Sequence, residues 1–244
     1  MTIQNSILET PFLEQEWYMA KSYEEYLKEL PLFVSFPRTG CNWLQAVMEL
    51  YFDRHRAGKA QQSPSWIDTP FDDPLWVHSH DNNGNVVITD RPVVYLWRDP
   101  VDSIFSLCRL MGGNMSENVI GRYCYEFKNV HYKWTRDENK ELRGGGPVLV
   151  VRYEDCRANP HEQMERISAF FNVPFDKERS ELAFKTVGDK KSTFKKEAGK
   201  DIGRASFTFK NPDSHTPQYD LDREEFRKKW GGFIYMHTGV FPTE

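Results

Sequence analysis

Cysteine is scarce in this chain of 244 residues: there are four, at positions 41, 108, 124 and 156. No two form a C-x-x-C pair, which excludes the common zinc and dithiol spacings, and four widely separated thiols do not make a secreted disulfide scaffold. No apolar run reaches the roughly 18 residues of a membrane-spanning helix. An excess of positive charge is lacking too. Lys and Arg number 32 against 36 Asp and Glu, a net charge of −4, which excludes a strongly basic nucleic-acid binder. The opening Met-Thr-Ile-Gln-Asn-Ser has neither a positive n-region nor an apolar h-region, so no signal peptide is expected and the chain reads as cytoplasmic, with no membrane partner. Repeats, low-complexity tracts and linkers are also missing, and the expectation is a single domain over residues 1–244.

Aromatic residues are plentiful: 17 Phe, 11 Tyr and 7 Trp. With 39% hydrophobic and 28% charged residues, the composition is that of a soluble globular protein, and the aromatic surplus suits a core or a pocket that stacks flat rings. The first thirty residues mix acids and aromatics and predict a helix over the domain. Leu32-Phe33-Val34-Ser35-Phe36 predicts a short buried strand, followed by a helix with apolar residues at 43, 44, 47, 48, 50 and 51. Residues 57–74 read as a proline-bearing loop, Trp76-Val77-His78 as a short strand, and Val93-Val94-Tyr95-Leu96-Trp97 as a buried one. Asp99-Pro100 starts a helix to about Met111. A longer helix is predicted over 116–141, with aromatic positions 123, 127, 131 and 134 on one face. A strand at 148–151 and a helix over 160–172 follow. Residues 185–220 read as Lys-rich and irregular, with a final helix near 222–230. Continuous apolar strands alternating with helices predict an α/β fold, a parallel sheet covered on both faces to give three layers. Ligands bind such sheets outside the carboxyl ends of the strands.

Polar motifs stand at those ends. Pro37-Arg38-Thr39-Gly40-Cys41-Asn42-Trp43 joins the first strand to its helix. A helix N-terminus presents unpaired N–H groups to anions, Gly40 admits a close backbone approach, and Arg38 adds a bidentate cation. An ordinary strand-to-helix turn is the alternative. The segment has no Lys-Ser or Lys-Thr pair, so it departs from the nucleotide triphosphatase loop, and ATP hydrolysis is disfavoured. It resembles the 5′-phosphosulfate loop of the sulfotransferase family, with Cys41 and Asn42 standing where hydroxyl residues are usual.

Two more segments carry the resemblance. Arg98-Asp99-Pro100 followed by Ser106 is similar to the family's 3′-phosphate segment, which implies Arg98 and Ser106 as phosphate ligands. Val150-Val151-Arg152-Tyr153-Glu154-Asp155 with Asn159-Pro160 is similar to the third strand end, which implies Tyr153 near the adenine, with Trp43 stacking on the ring. The resemblance spans about 32–173. It implies a P-loop-containing nucleotide-binding fold, and 3′-phosphoadenosine 5′-phosphosulfate (PAPS, leaving PAP) as cofactor, held by Arg38, Thr39, Gly40, Cys41, Asn42, Trp43, Arg98, Ser106 and Tyr153. The reaction implied is sulfuryl transfer to a hydroxyl or amine of a small-molecule or glycan acceptor. Such a transfer needs a base, and cations for the leaving phosphate, and no metal where protein cations serve.

The family's base is a histidine in a K-[ST]-H segment between the first two motifs. Aligning Ser79 with its hydroxyl residue makes His80 the base and puts His78 where lysine is usual, leaving Arg38 as the catalytic cation. The residues by themselves also allow a structural histidine pair, or a metal site with Asp81, since histidines two apart on a strand face the same side. The family's C-terminal R-K-G triplet is absent, and the Lys-rich stretch from Lys190 to Arg204 is the expected substitute. A P-loop kinase and a non-catalytic PAPS- or PAP-binding module are the competing readings. Aromatics around 66–76 and 123–134 hint at an apolar acceptor.

Overall fold

The computed structural model describes residues 28–54, 56–57, 74–81, 84, 87–197 and 216–242, and of 189–197 the backbone alone. Five strands form one parallel sheet: β1 (Leu32–Ser35), β2 (Arg56–Ala57), β3 (Trp76–Ser79), β4 (Val93–Trp97) and β5 (Val148–Arg152), in the order β2-β3-β1-β4-β5. The helices are α1 (Cys41–Phe52), α2 (Pro100–Leu110), α3 (Glu117–Thr135), α4 (Tyr153–Ala158), α5 (Pro160–Phe170), α6 (Lys177–Glu197) and α7 (Pro217–Thr238).

Both faces of the sheet are apolar because successive strand side chains alternate between them. Phe33, Val94, Leu96 and Val151 point to one face, where they pack with Leu44, Val47 and Met48 of α1 and Met164 and Ile167 of α5. Leu32, Val34, Val93 and Tyr95 point to the other, against Val130 and Trp134 of α3. Beyond them Phe36 and the α2 residues Val101, Ile104 and Phe105 join α3 and α7 in a further cluster. The three-layer α/β expectation is therefore met.

The strand order creates a switch point. From β1 the chain crosses with α1 to β2 at one edge; from β4 it crosses with α2 and α3 to β5 at the other. β1 and β4 are neighbours, with Ser35 opposite Leu96, so their outgoing loops diverge and leave a crevice at the carboxyl ends.

Several boundaries differ from expectation. The Lys-rich region is helical through Glu197, not irregular from 185: Ala183, Phe184 and Val187 seat α6 on the α1 side of the core, and lysine is a good helix former. The final helix is more than twice its expected length. Thr216 caps it by accepting from Tyr219 N at 3.1 Å, and Gly239 ends it at φ 68°. α3 stops at Thr135 and not near 141, because Arg136 turns extended and Asn139 Nδ2 donates to the Tyr132 carbonyl at 2.8 Å. The aromatic face of α3 is buried in the core: Tyr123, Phe127, His131 and Trp134 are all buried, as is Trp76, whose Nε1 donates to Gln45 at 3.0 Å. Burial also lowers the His131 pKa to about 4, so this imidazole is neutral in the core. The expected N-terminal helix lies outside the described residues, as does most of the 57–74 loop.

One buried ion pair fixes the end of β3. Lys133 Nζ meets Asp81 Oδ2 at 2.8 Å, with the Asp81 side chain fully buried and that of Lys133 8% exposed. The same carboxylate accepts from Trp134 Nε1 at 2.8 Å and Val87 N at 2.7 Å, and Lys133 also donates to the Gly84 carbonyl. Removing the cation leaves a desolvated carboxylate. Lys133→Met is expected to destabilise the chain by about 3–5 kcal/mol in urea unfolding; a loss within error would show the pair to be dispensable.

Candidate active site

Each expected motif follows a strand at the carboxyl edge. The loop after β1 is shaped by two left-handed residues, Arg38 (φ 70°) and Gly40 (φ 88°). Gly40 is the N-cap of α1, and its carbonyl accepts from Trp43 N at 3.0 Å and Leu44 N at 3.1 Å. A Cβ on Gly40 would sit 2.5 Å from the Tyr153 ring, so the third motif lies directly on the first. Trp43 packs edge-on against Tyr153 at 5.6 Å, and the Arg98 guanidinium stands 4.8 Å over the Tyr153 ring. Arg38 Nε donates to Ser106 Oγ at 3.0 Å. The structure thus brings together Arg38, Gly40, Trp43, Arg98, Ser106 and Tyr153, residues up to 115 positions apart.

Two expected side-chain donors behave otherwise. Thr39 is fully buried and its hydroxyl donates to the Phe36 carbonyl at 2.9 Å; it shapes the turn, and only its backbone N–H is left to serve an anion. Asn42 is exposed, and its Oδ1 accepts from Arg56 Nη1 of β2 at 3.5 Å, on the side of the sheet away from β4 and β5. Cys41, the first residue of α1, is buried and faces the β3 histidines.

The crevice is cationic, and its charges are held in place. Burial lowers the Arg38 pKa, the Tyr219 and Cys41 groups oppose that shift, and Arg98 adds to it by like-charge repulsion. Arg98 Nη2 pairs with Asp102 Oδ2 at 3.1 Å, while Arg98 Nε is buried without a hydrogen-bond partner among the described residues. A buried donor with nothing to donate to is unfavourable until a ligand acceptor arrives. Asp102 Oδ1 takes Arg227 Nη2 of α7 at 2.6 Å, and Arg227 Nη1 lies 3.4 Å from Asp99. Burial works against the Arg227 charge, but Asp99 and Asp102 outweigh it and raise its pKa. Asp99 also caps α2, accepting from Val101 N at 2.8 Å, and accepts from Tyr235 at 2.9 Å. Burial and Asp99 push the Tyr235 hydroxyl up to about 12.

On the other side of β1 stand His78 and His80, with ring centroids 4.6 Å apart. His80 Nδ1 lies 3.0 Å from the Ser35 carbonyl. A carbonyl only accepts, so Nδ1 carries the proton and the neutral ring keeps its lone pair on Nε2. Ser35 Oγ is 3.4 Å from both His78 Nε2 and His80 Nδ1. Asp81 does not join the histidines. Its carboxylate is taken by Lys133, Trp134 and Val87, so the metal alternative drawn with Asp81 is corrected.

Sequence reasoning missed Ser35, Asp102 and Arg227. The i,i+4 spacing of Arg98 and Asp102 was a readable signal; nothing in the sequence pointed to Arg227, which arrives from α7. The expected basic ligands from Lys190 to Arg204 lie outside the described side chains.

Residues 89–177 match the model of the sulfotransferase family, a stretch that contains the Arg98 and Tyr153 motifs and omits the Arg38 loop. The chain is 24% identical over 183 residues to cytosolic sulfotransferase 3 of Arabidopsis thaliana, covering 60% of this chain and 54% of that protein. It is 24% identical to sulfotransferase 6B1 of Danio rerio, covering 61% and 58%. These matches span little more than half the length of either relative. A mouse sulfotransferase crystallised with PAP shares the fold, with a TM-score of 0.50 and 15% identity over 86% of this chain and 89% of that one.

The Gly40–Tyr153 contact is testable without any ligand. Gly40→Ala is expected to destabilise the chain through both the left-handed backbone, about 1–2 kcal/mol, and displacement of the tyrosine ring. In a Tyr153→Ala background the same substitution costs less. Strict additivity in a urea double-mutant cycle would show that the two residues do not press on each other.

Proposed function

We propose that this chain, which carries a sulfotransferase family domain, transfers a sulfuryl group from PAPS to a hydroxyl or amine of a small-molecule acceptor, with His80 as general base. The observation that carries the proposal is the convergence at the β1/β4 switch point. Anion-binding backbone, two arginines and an aromatic pair lie on one side of β1, and a lone-pair-bearing imidazole lies on the other.

The residues fit the nucleotide. Arg98 Nε, buried and without a hydrogen-bond partner among the described residues, is a donor suited to a 3′-phosphate oxygen, and Ser106, already oriented by Arg38, borders the same place. The N-terminal N–H groups of α1, reached past Gly40, suit the 5′-phosphosulfate. The Trp43–Tyr153 aromatic pair beside Gly40 suits the adenine. PAPS supplies an activated sulfuryl group whose bridging oxygen departs with the phosphate. Arg38 faces the charge that develops there, in a partly desolvated setting that strengthens its effect. His80 Nε2 takes the acceptor proton, and the Ser35 carbonyl holds the ring in the required tautomer and steadies the imidazolium. The same geometry disfavours the kinase reading, since no Lys-Ser or Lys-Thr pair follows Gly40 to reach phosphate and magnesium. Among the described residues no helix is long and apolar enough to cross a membrane, which is compatible with a cytoplasmic enzyme.

Selectivity for the 3′-phosphate is read by calorimetry with the 3′,5′-bisphosphate and the 5′-monophosphate of adenosine. Arg98→Ala is expected to cost the bisphosphate about 1.5–3 kcal/mol more than the monophosphate; equal losses overturn the assignment.

The base is read from turnover. His80→Ala is expected to remove about 10²–10⁴-fold of sulfotransfer, to leave bisphosphate affinity nearly intact, and to abolish the acid limb of the turnover–pH profile. If His78→Ala abolishes turnover and His80→Ala is mild, His78 is the base. Bisphosphate binding with no turnover of a broad acceptor panel by the wild type would favour the non-catalytic module.

A further inference from the structure

The position where the resembled loop has a hydroxyl residue is Cys41, and the position where the resembled base segment has lysine is His78. Both departures fall in one place. Cys41, His78 and His80 each offer one donor atom, and these atoms all lie within 4.8 Å of one another. They come from two elements, the first turn of α1 and the carboxyl end of β3, which pairs with β1 through the Phe33–His78 and Val34–Ser79 register. The histidines face the same side because they are two apart along an extended chain.

We infer that Cys41, His78 and His80 form a site for a thiophilic divalent cation, Zn²⁺ foremost, and that its occupation withdraws His80 from proton transfer. One thiolate and two imidazoles are a donor set suited to zinc and not to magnesium or calcium, which take oxygen ligands. Zinc bonds of about 2.0–2.1 Å to nitrogen and 2.3 Å to sulfur set donor–donor distances of roughly 3.5 Å, so the three groups need to close by about 1 Å. Side-chain rotation of two half-buried imidazoles supplies that. The Ser35 carbonyl, accepting from His80 Nδ1, is the kind of outer bond that orients a metal-bound histidine. Cys41 is the first residue of α1, and metal binding would release its thiol proton. The other three cysteines are poor competitors: burial pushes Cys108 up to about 11 and Cys124 and Cys156 to about 12, so they stay protonated. Metal binding itself does not depend on the sulfotransfer reading; the loss of turnover on binding does.

The test uses the full chain stripped of metal and titrated with Co²⁺ as a spectroscopic probe. The expected result is one equivalent bound, with a thiolate-to-cobalt charge-transfer band in the near ultraviolet that Zn²⁺ displaces. Cys41→Ser loses the band while keeping its circular dichroism, and His78→Asn weakens binding by at least about tenfold. Absence of the band, or its persistence in Cys41→Ser, overturns the site. A wild-type measurement guards against a misfolded variant: Zn²⁺ is expected to slow alkylation of Cys41, mapped by mass spectrometry, and unchanged labelling counts against the site. Where sulfotransfer is measurable, saturating Zn²⁺ is expected to abolish it and a chelator to restore it; unaffected or increased turnover at saturation overturns the inhibitory role. A cobalt band in a chain that sulfates no acceptor without metal would leave the site standing and count against the enzyme.

Discussion

Parallel pairing of β1 with β4 is the constraint on which the rest of the molecule depends. These central strands share register from Leu32–Val93 to Ser35–Leu96, and their connections leave toward opposite edges of the sheet. Two arginine-bearing loops that are sixty residues apart in sequence are thereby placed side by side, each at the start of a helix that buries its own apolar stripe against a different face. The core and the crevice are therefore one construction. Phe33 and Val94 on one face and Val34 and Tyr95 on the other hold the strands whose ends carry Arg38 and Arg98.

Charge in the crevice is arranged by sharing. Asp102 holds Arg98 with one oxygen and Arg227 with the other, and Asp99 caps α2 while facing Arg227 and Tyr235. Two acids and two arginines nearly cancel on the β4 side, so Arg38 stands out as the cation that donates to a neutral hydroxyl, Ser106. The cancellation restrains Arg98 in position without cancelling its capacity to donate, because Nε remains unpartnered among the described residues. Helix α7 takes part in the site through Arg227, although it packs mainly on α2 and α3 by aromatic contacts such as Phe105–Phe226.

The β3 end is organised by a different economy of groups. Asp81 is the acid nearest the histidines in sequence, yet it is withdrawn into the core by Lys133 and Trp134, fixing the chain immediately after His80. The imidazoles are then oriented by Ser35 and bordered by the Cys41 thiol. The base and the cation site proposed above would thus draw on the same His80 imidazole.

Much of this was legible in the residues. Continuous apolar runs at 32–36, 93–97 and 148–151 specified buried strands, and the Asp99-Pro100 cap specified a helix start, because these are local consequences of chain geometry. The loop motifs marked Arg38, Arg98, Ser106 and Tyr153. What local pattern left open was decided by packing. The Lys-rich run carries no strong apolar stripe, and its helix depends on Ala183 and Phe184 finding the α1 side of the core. Thr39 and Asn42 have the chemistry of ligands, but burial turns one inward and Arg56 draws the other away. Asp81 stands beside His80 in sequence and apart from it in function, because a carboxylate is most stable beside a buried lysine 52 residues on. The sequence alone determined four of the five strands, all but the two-residue β2, and which loops bear charge and which residue types are on hand. Only the tertiary structure decided which of them share a crevice, because strand order and burial are set by contacts between distant residues that no local periodicity encodes.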